Sequence, residues 1–232
     1  MIINSYNYKQ ALNTHTHTYT YTYTYTHTTM STASQFRPIC VQNDMRLGKN
    51  TEMKLFTLEY KYTNPNFDIL SLININIHKL LYEVNKDIIE TIEITANPED
   101  ASEYNIFYKF REIGGDLGGL KTYMYVNTKV AKRFASNGNT EIIFTSKSVP
   151  FDSHSLLQDQ KYKLLEYPLY IQKFIYDETP DKTPANSTIQ VLHMFKLKPD
   201  QETELTVAME NAIGILIKKM YFRLKVAMES LR

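Results

Sequence analysis

The sequence has one cysteine, Cys40, and no tryptophan. A lone thiol excludes an intramolecular disulfide and is too little for a cysteine-based zinc site, which suits a reducing compartment. Lys and Arg total 26 against 25 Asp and Glu, a net charge of +1, so no global field draws in nucleic acid or an anionic membrane. Any such binding must be local. No run approaches the roughly 18 apolar residues that span a bilayer, and the first thirty residues lack the apolar centre of a signal peptide. The expectation is an intracellular protein of cytoplasm or nucleus with no membrane partner. Glycine and proline are also sparse, at 7 and 8, while Asn, Ile, Lys and Tyr are frequent. A/T-rich codons produce that bias unaided, so it speaks of the genome and not of chemistry.

What is present begins with a repeat. From Asn13 to Thr29 threonine alternates with His15, His17, Tyr19, Tyr21, Tyr23, Tyr25 and His27. This is low complexity, and residues 1–36 are expected to be a disordered tail, with Met30 as a plausible true start. Histidines on such a tail lack the supporting contacts of a metal site, so neither a metal nor a cofactor is predicted.

Residues 37–232 are expected to form a single β-rich domain. Phe56, Leu58, Tyr60 and Tyr62 alternate with Thr57, Glu59 and Lys61, and Ile73, Ile75 and Ile77 alternate with Asn74, Asn76 and His78. Each run reads as a strand with one wet face, and Asn64, Pro65 and Asn66 supply the turn of a hairpin. His78 then falls on a polar, solvated face. A short helix is expected from Lys79 to about Glu90, followed by a strand through Thr95. Further strands are expected at Tyr104–Arg111, Leu120–Lys129, Glu141–Ser146, Tyr170–Tyr176 and Thr188–Leu197. Ser148–Tyr162 reads as a long loop.

The clearest element is the last. Met209, Ile213, Leu216, Met220, Leu224, Ala227 and Leu231 recur at helical spacing, acids crowd the first half and bases the second, and Asp200 stands where a cap belongs. A helix over 200–231 is predicted, with something covering its apolar stripe. The predicted class is therefore α+β: a mainly antiparallel sheet of about seven to eight strands, sandwich or open barrel, packed by one long C-terminal helix.

Catalytic motifs fail on inspection. Gly114 and Gly119 have the spacing of phosphate-loop glycines, yet Leu120 stands where the lysine belongs and a strand follows where a helix is required. Asp152, Ser153 and His154 are adjacent, but triads assemble in space from separate elements. No enzyme is predicted. Cations interleaved with aromatics are the suggestive pattern: Tyr60, Lys61; Tyr108, Lys109, Arg111; Lys121, Tyr123, Tyr125; and Lys173, Tyr176. Rings under bases with cations beside phosphates hold single-stranded DNA or RNA. The first expectation is accordingly a non-enzymatic module binding single-stranded nucleic acid on a sheet face. The alternative is a structural or assembly protein, for instance a viral component, forming a homo-oligomer through a sheet edge or through Ile215, Phe222 and Val226. Those three lie off the main stripe of the last helix.

Overall fold

Two consecutive residues with left-handed backbone, Asn43 and Asp44 at φ 57° and 56°, open the structure. Both central positions of a tight strand-to-strand turn need positive φ, which Asn and Asp tolerate. The turn joins β1 (Arg37–Gln42) to β2 (Met45–Asn50) with Gln42 paired to Met45. This computed structural model describes residues 36–112, 121–135, 138–150, 162–177, 188–198 and 207–232. The threonine repeat, the glycine loop, the Phe151–Ser155 stretch and the proposed helix cap at Asp200 lie outside the described residues.

The chain continues through β3 (Leu55–Tyr62), α1 (Ile77–Glu83), β4 (Ile89–Ala96), β5 (Glu103–Phe110), β6 (Thr122–Phe134) and β7 (Asn139–Ser148). It closes with β8 (Lys163–Leu164), β9 (Glu166–Asp177), β10 (Ile189–Lys198) and α2 (Val207–Glu229). The result is an α+β fold. Nine strands run antiparallel in the order β1-β2-β3-β10-β9-β7-β6-β5-β4, and the short β8 pairs in parallel with β6. Pairing β3 with β10 sets the last strand of the chain beside the N-terminal strands, and β1 and β4 form the two edges.

Residues 70–78 are not the second strand of a hairpin. Asp68 accepts a hydrogen bond from the Leu70 amide at 3.0 Å and starts a 3-10 turn at Ile69–Leu72, and Asn74 accepts one from Asn76 at 2.9 Å just before α1. Side-chain capping of this kind competes with strand pairing. Ile69, Ile73 and Ile77 are buried together as a result, and so is His78, at 4% exposure. The isoleucine alternation was coincidence with a strand period.

α2 lies against β2, β3 and α1. Its buried positions are Gly214, Lys218, Met220, Tyr221, Leu224 and Met228, a face turned from the predicted stripe by somewhat under one residue step of ~100°. Gly214 explains the turn: a Cβ there would come within 3.1 Å of the Phe56 ring, so the helix sits down on β3 at a residue that hydropathy does not count. The C-terminal end is held by side chains. Asn64 donates to the carbonyls of Met228 and Leu231 at 3.0 and 2.9 Å, satisfying groups that a helix end leaves open. Asn85 donates to the Met220 carbonyl at 3.2 Å, and Arg223 makes a forked pair with Asp87. Near the other end Lys49 of β2 pairs with Glu210.

Candidate functional site

Strand pairing places side chains of partnered residues on one face of a sheet. Leu58, His193, Gln172 and Phe144 form one such row across β3, β10, β9 and β7, all essentially without solvent contact. The neighbouring rows hold Phe56, Phe195, Tyr170, Ser146 and Thr128 on one side and Tyr60, Val191 and Phe174 on the other. This is the face that α2 covers, and it is far more polar than a core needs to be.

Its polar groups are linked. The Tyr62 and Tyr60 hydroxyls are 3.2 Å apart, Tyr60 Oη is 3.1 Å from His193 Nε2, Tyr170 Oη is 2.9 Å from His193 Nδ1, and Tyr170 Oη is 2.5 Å from Tyr221 Oη of α2. The Tyr221 ring centroid lies 4.1 Å from that of His193. Burial, reinforced by the neighbouring His78, pushes His193 down to about 3, and burial pushes Tyr221 up to about 12. Tyr60 and Tyr170 are likewise raised, by burial and by the surrounding phenols. Every member is therefore neutral at pH 7, the state a low-dielectric interior favours.

A second group stands beside this chain with atoms unpaired. His78 Nδ1 is 2.6 Å from Tyr108 Oη, and the His78 ring meets Phe144 edge-on at 5.9 Å. Its Nε2 has no hydrogen-bond partner. Gln172, partnered across the strands to both His193 and Phe144, is completely buried, and neither its amide nitrogen nor its amide oxygen has a partner. Buried amides are nearly always satisfied, so three orphan atoms around one phenylalanine mark this place. Burial alone lowers His78 to about 4, so it too is neutral. The arrangement offers a donor and an acceptor from Gln172 and one further nitrogen from His78, with aromatic walls.

A separate groove of about 480 Å³ lies between β1 and α2, lined among others by Arg37, Ile39, Lys49, Lys54, Glu210 and Asn211. Among the described residues, no cluster of three His, Cys, Asp or Glu could hold a metal ion, and no helix is long and apolar enough to cross a membrane.

The residues expected to bind nucleic acid are scattered by the fold. Tyr60, Tyr108 and Tyr176 turn into the core. Lys61 is exposed on β3 and Arg111 is exposed just beyond the end of β5, where it donates to the Lys86 carbonyl at 2.8 Å. Lys173 faces Glu141 at 4.0 Å. Lys109, Lys121 and Tyr123 do come together: Lys109 is cross-strand to Tyr123, and both lysines lie over the Tyr162 ring. Tyr125, of the same parity, is cross-strand to Phe107. Lys109 also pairs with Glu90 at 2.9 Å. In α2, Phe222 packs against the core while Ile215 and Val226 stand 46% and 50% exposed, separated on that side by Lys219.

His193, Gln172, Tyr170 and Tyr221 were not singled out by sequence reasoning, yet a signal exists. His193 shares parity with Ile189, Val191, Phe195 and Leu197, and Gln172 with Tyr170, Phe174 and Tyr176. A polar residue inside an apolar parity is a buried polar group.

No protein family matches the sequence, and no curated protein does. Known structures do share the fold. The chain is similar to human StAR-related lipid transfer protein 5 with a TM-score of 0.50 at 9% identity, covering 84% of this chain and 85% of that one. A StAR-related lipid transfer protein from Xanthomonas axonopodis gives 0.48 at 8% identity over 84% and 97%, and a START superfamily protein from Mycobacterium smegmatis 0.40 at 12% over 77% and 99%. The fold shared with the human lipid transfer protein, together with the burial of Tyr60, Tyr108 and Tyr176, corrects the expected single-stranded DNA or RNA ligand and its alternative, an assembly protein. The aromatic sheet face is an interior wrapped on a helix, as in a fold represented by a lipid transfer protein, and the extra apolar side of α2 is divided between core contacts and isolated surface residues. At 9% identity the likeness to the human protein is one of fold.

Proposed function

We propose that this protein binds a small, largely apolar molecule carrying one neutral polar group, held between the sheet and the helices packed on it, and that it performs no chemistry on it. The observation that carries the reading is the trio of unpaired atoms on Gln172 and His78, fully buried among aromatic rings. Apolar sites with a few convergent polar groups are the usual form of a small-molecule pocket. The polar groups around Phe144 are an amide, an imidazole and a phenol, so a hydroxyl or carbonyl fits them and an ionised group does not. The fold shared with human StAR-related lipid transfer protein 5 supports an apolar ligand. Binding without catalysis is supported by the titration behaviour at this place: His78 and His193 are pushed down and Tyr221 up, so none of the three is poised as an acid or base near neutral pH.

The test uses two fluorescent probes, dehydroergosterol with its neutral hydroxyl and a dansylated fatty acid, titrated against the protein, together with organic extraction of the purified protein and mass spectrometry. Saturable binding of the hydroxyl probe at one per chain is expected. Gln172→Leu should weaken it about tenfold, the value of one hydrogen bond of ~1.4 kcal/mol, while leaving the fold at least as stable because two orphan atoms are removed. The reading is lost if neither probe saturates and no apolar molecule is extracted.

A further inference from the structure

Cys40 sits on β1 opposite Leu47 and so shares its face. Leu47 is buried, and its side chain lies 3.5 Å from where a Cβ on Gly214 would stand, which makes this the face that α2 crosses. One turn further along α2 is Lys218, 6% exposed, whose Nζ lies 3.3 Å from Cys40 Sγ. Among the described residues no carboxylate pairs with it, and the sulfur is its one hydrogen-bonding partner. Burying an ammonium is costly, and a thiol sulfur is a weak acceptor. A methionine or leucine would fill the same space on an amphipathic helix without that cost, so packing does not account for the lysine. What the geometry does provide is an amine nitrogen at the 3 to 3.5 Å separation from which bonds form. Cys40 is only partly buried, within reach of a small solute.

We propose that Cys40 and Lys218 are a redox-responsive pair that forms a sulfur–nitrogen bond between β1 and α2 when the thiol meets a peroxide. In the first step the sulfur gives up two electrons. A sulfur–oxygen bond forms, the peroxide oxygen–oxygen bond breaks, and the peroxide is reduced to water or an alcohol, leaving a sulfenic acid. In the second step the lysine nitrogen attacks the sulfur. The sulfur–nitrogen bond forms as the sulfur–oxygen bond breaks, the hydroxyl departs as water with one lysine proton, and a second proton passes to solvent. A thiol reductant reverses the bond. Because β1 and α2 are also the walls of the groove lined by Pro38, Ile39, Glu210 and Asn211, the bond ties those walls together.

Hydrogen peroxide treatment of the full chain, proteolysis without reductant and mass spectrometry test the pair. The expected product joins the peptides carrying Cys40 and Lys218, two hydrogens lighter than their sum, and separates on adding dithiothreitol. Lys218→Met, which removes a buried charge and keeps the volume, and Lys218→Arg, which keeps the charge without an attacking amine, should both stop at sulfenic acid. Dimedone should then trap several-fold more of it than in the parent chain. The proposal is overturned if parent Cys40 advances to sulfinic acid as fast as in Lys218→Met with no joined peptide, or if it stays a thiol under peroxide that oxidises surface methionines.

Discussion

The two faces of the sheet are written in nearly the same alphabet and used in opposite ways. On the face under α2, Tyr60, Tyr62, Tyr170 and His193 give every ring heteroatom a neutral partner inside the protein. On the other face, Tyr123, Tyr162, Lys109 and Lys121 combine rings with cations, and Lys109 answers to Glu90 near solvent. The difference lies in dielectric surroundings. A hydroxyl or imidazole can be satisfied in the interior by its neighbours, whereas an ammonium keeps its charge cheaply only where water still helps. Composition alone cannot distinguish the two, and strand parity can.

The contrast is broken most severely at its centre. His193→Ala removes a buried ring and leaves Tyr60 and Tyr170 each short of a partner. It is expected to lower stability by about 3 to 5 kcal/mol in urea unfolding, and a loss under 1 kcal/mol would mean the chain of hydroxyls contributes little. Acid comes next. His193 and His78 have folded values of about 3 and about 4 against an ordinary 6.5, so between those limits the unfolded chain binds more protons than the folded one. Stability is therefore complete above pH 6.5 and falls as pH drops toward 4, by an amount on the order of a few kcal/mol. Urea midpoints at pH 7.5 and 4.5 measure it, and replacing both histidines with glutamine should flatten the slope in that window. On the opposite face Lys109→Ala loses an ion pair and a ring contact that are both part-exposed. About 0.5 to 1 kcal/mol is expected; a cost equal to that of His193→Ala would erase the distinction between the faces.

Much of the architecture was legible because it follows from period. The strands around Tyr60, Tyr108, Tyr125, Phe144, Phe174 and Val191 lie where alternation puts them, and the last helix is where spacing puts it. The β1–β2 hairpin adds strands that alternation did not reveal, since β2 reads Met, Arg, Leu, Gly, Lys, Asn and buries its lysine and asparagine. Ile73, Ile75 and Ile77 misled because Asp68 and Asn74 cap turns there, a local competition that hydropathy does not see. The site was the least legible part. A histidine on the apolar parity of β10 and a glutamine on that of β9 matter only once neighbouring strands bring them side by side, and strand order is set by long-range pairing. The face of α2 was misplaced for a related reason: Gly214 and Lys218 are buried by what β1 and β3 present to them.

The line of groups from Tyr62 through Tyr60, His193 and Tyr170 to Tyr221 has one proton on its imidazole and one on each phenol. With the imidazole proton on Nδ1, hydrogens point from Tyr62 toward Tyr221; with it on Nε2, every arrow reverses. Only these two settings both keep the hydrogens of Tyr60 and Tyr170 within the row and leave no acceptor facing an acceptor. The row thus behaves as a single binary element, and a bond made to the phenol at one end dictates, through four intervening contacts, which way the hydroxyl on the helix at the other end must face.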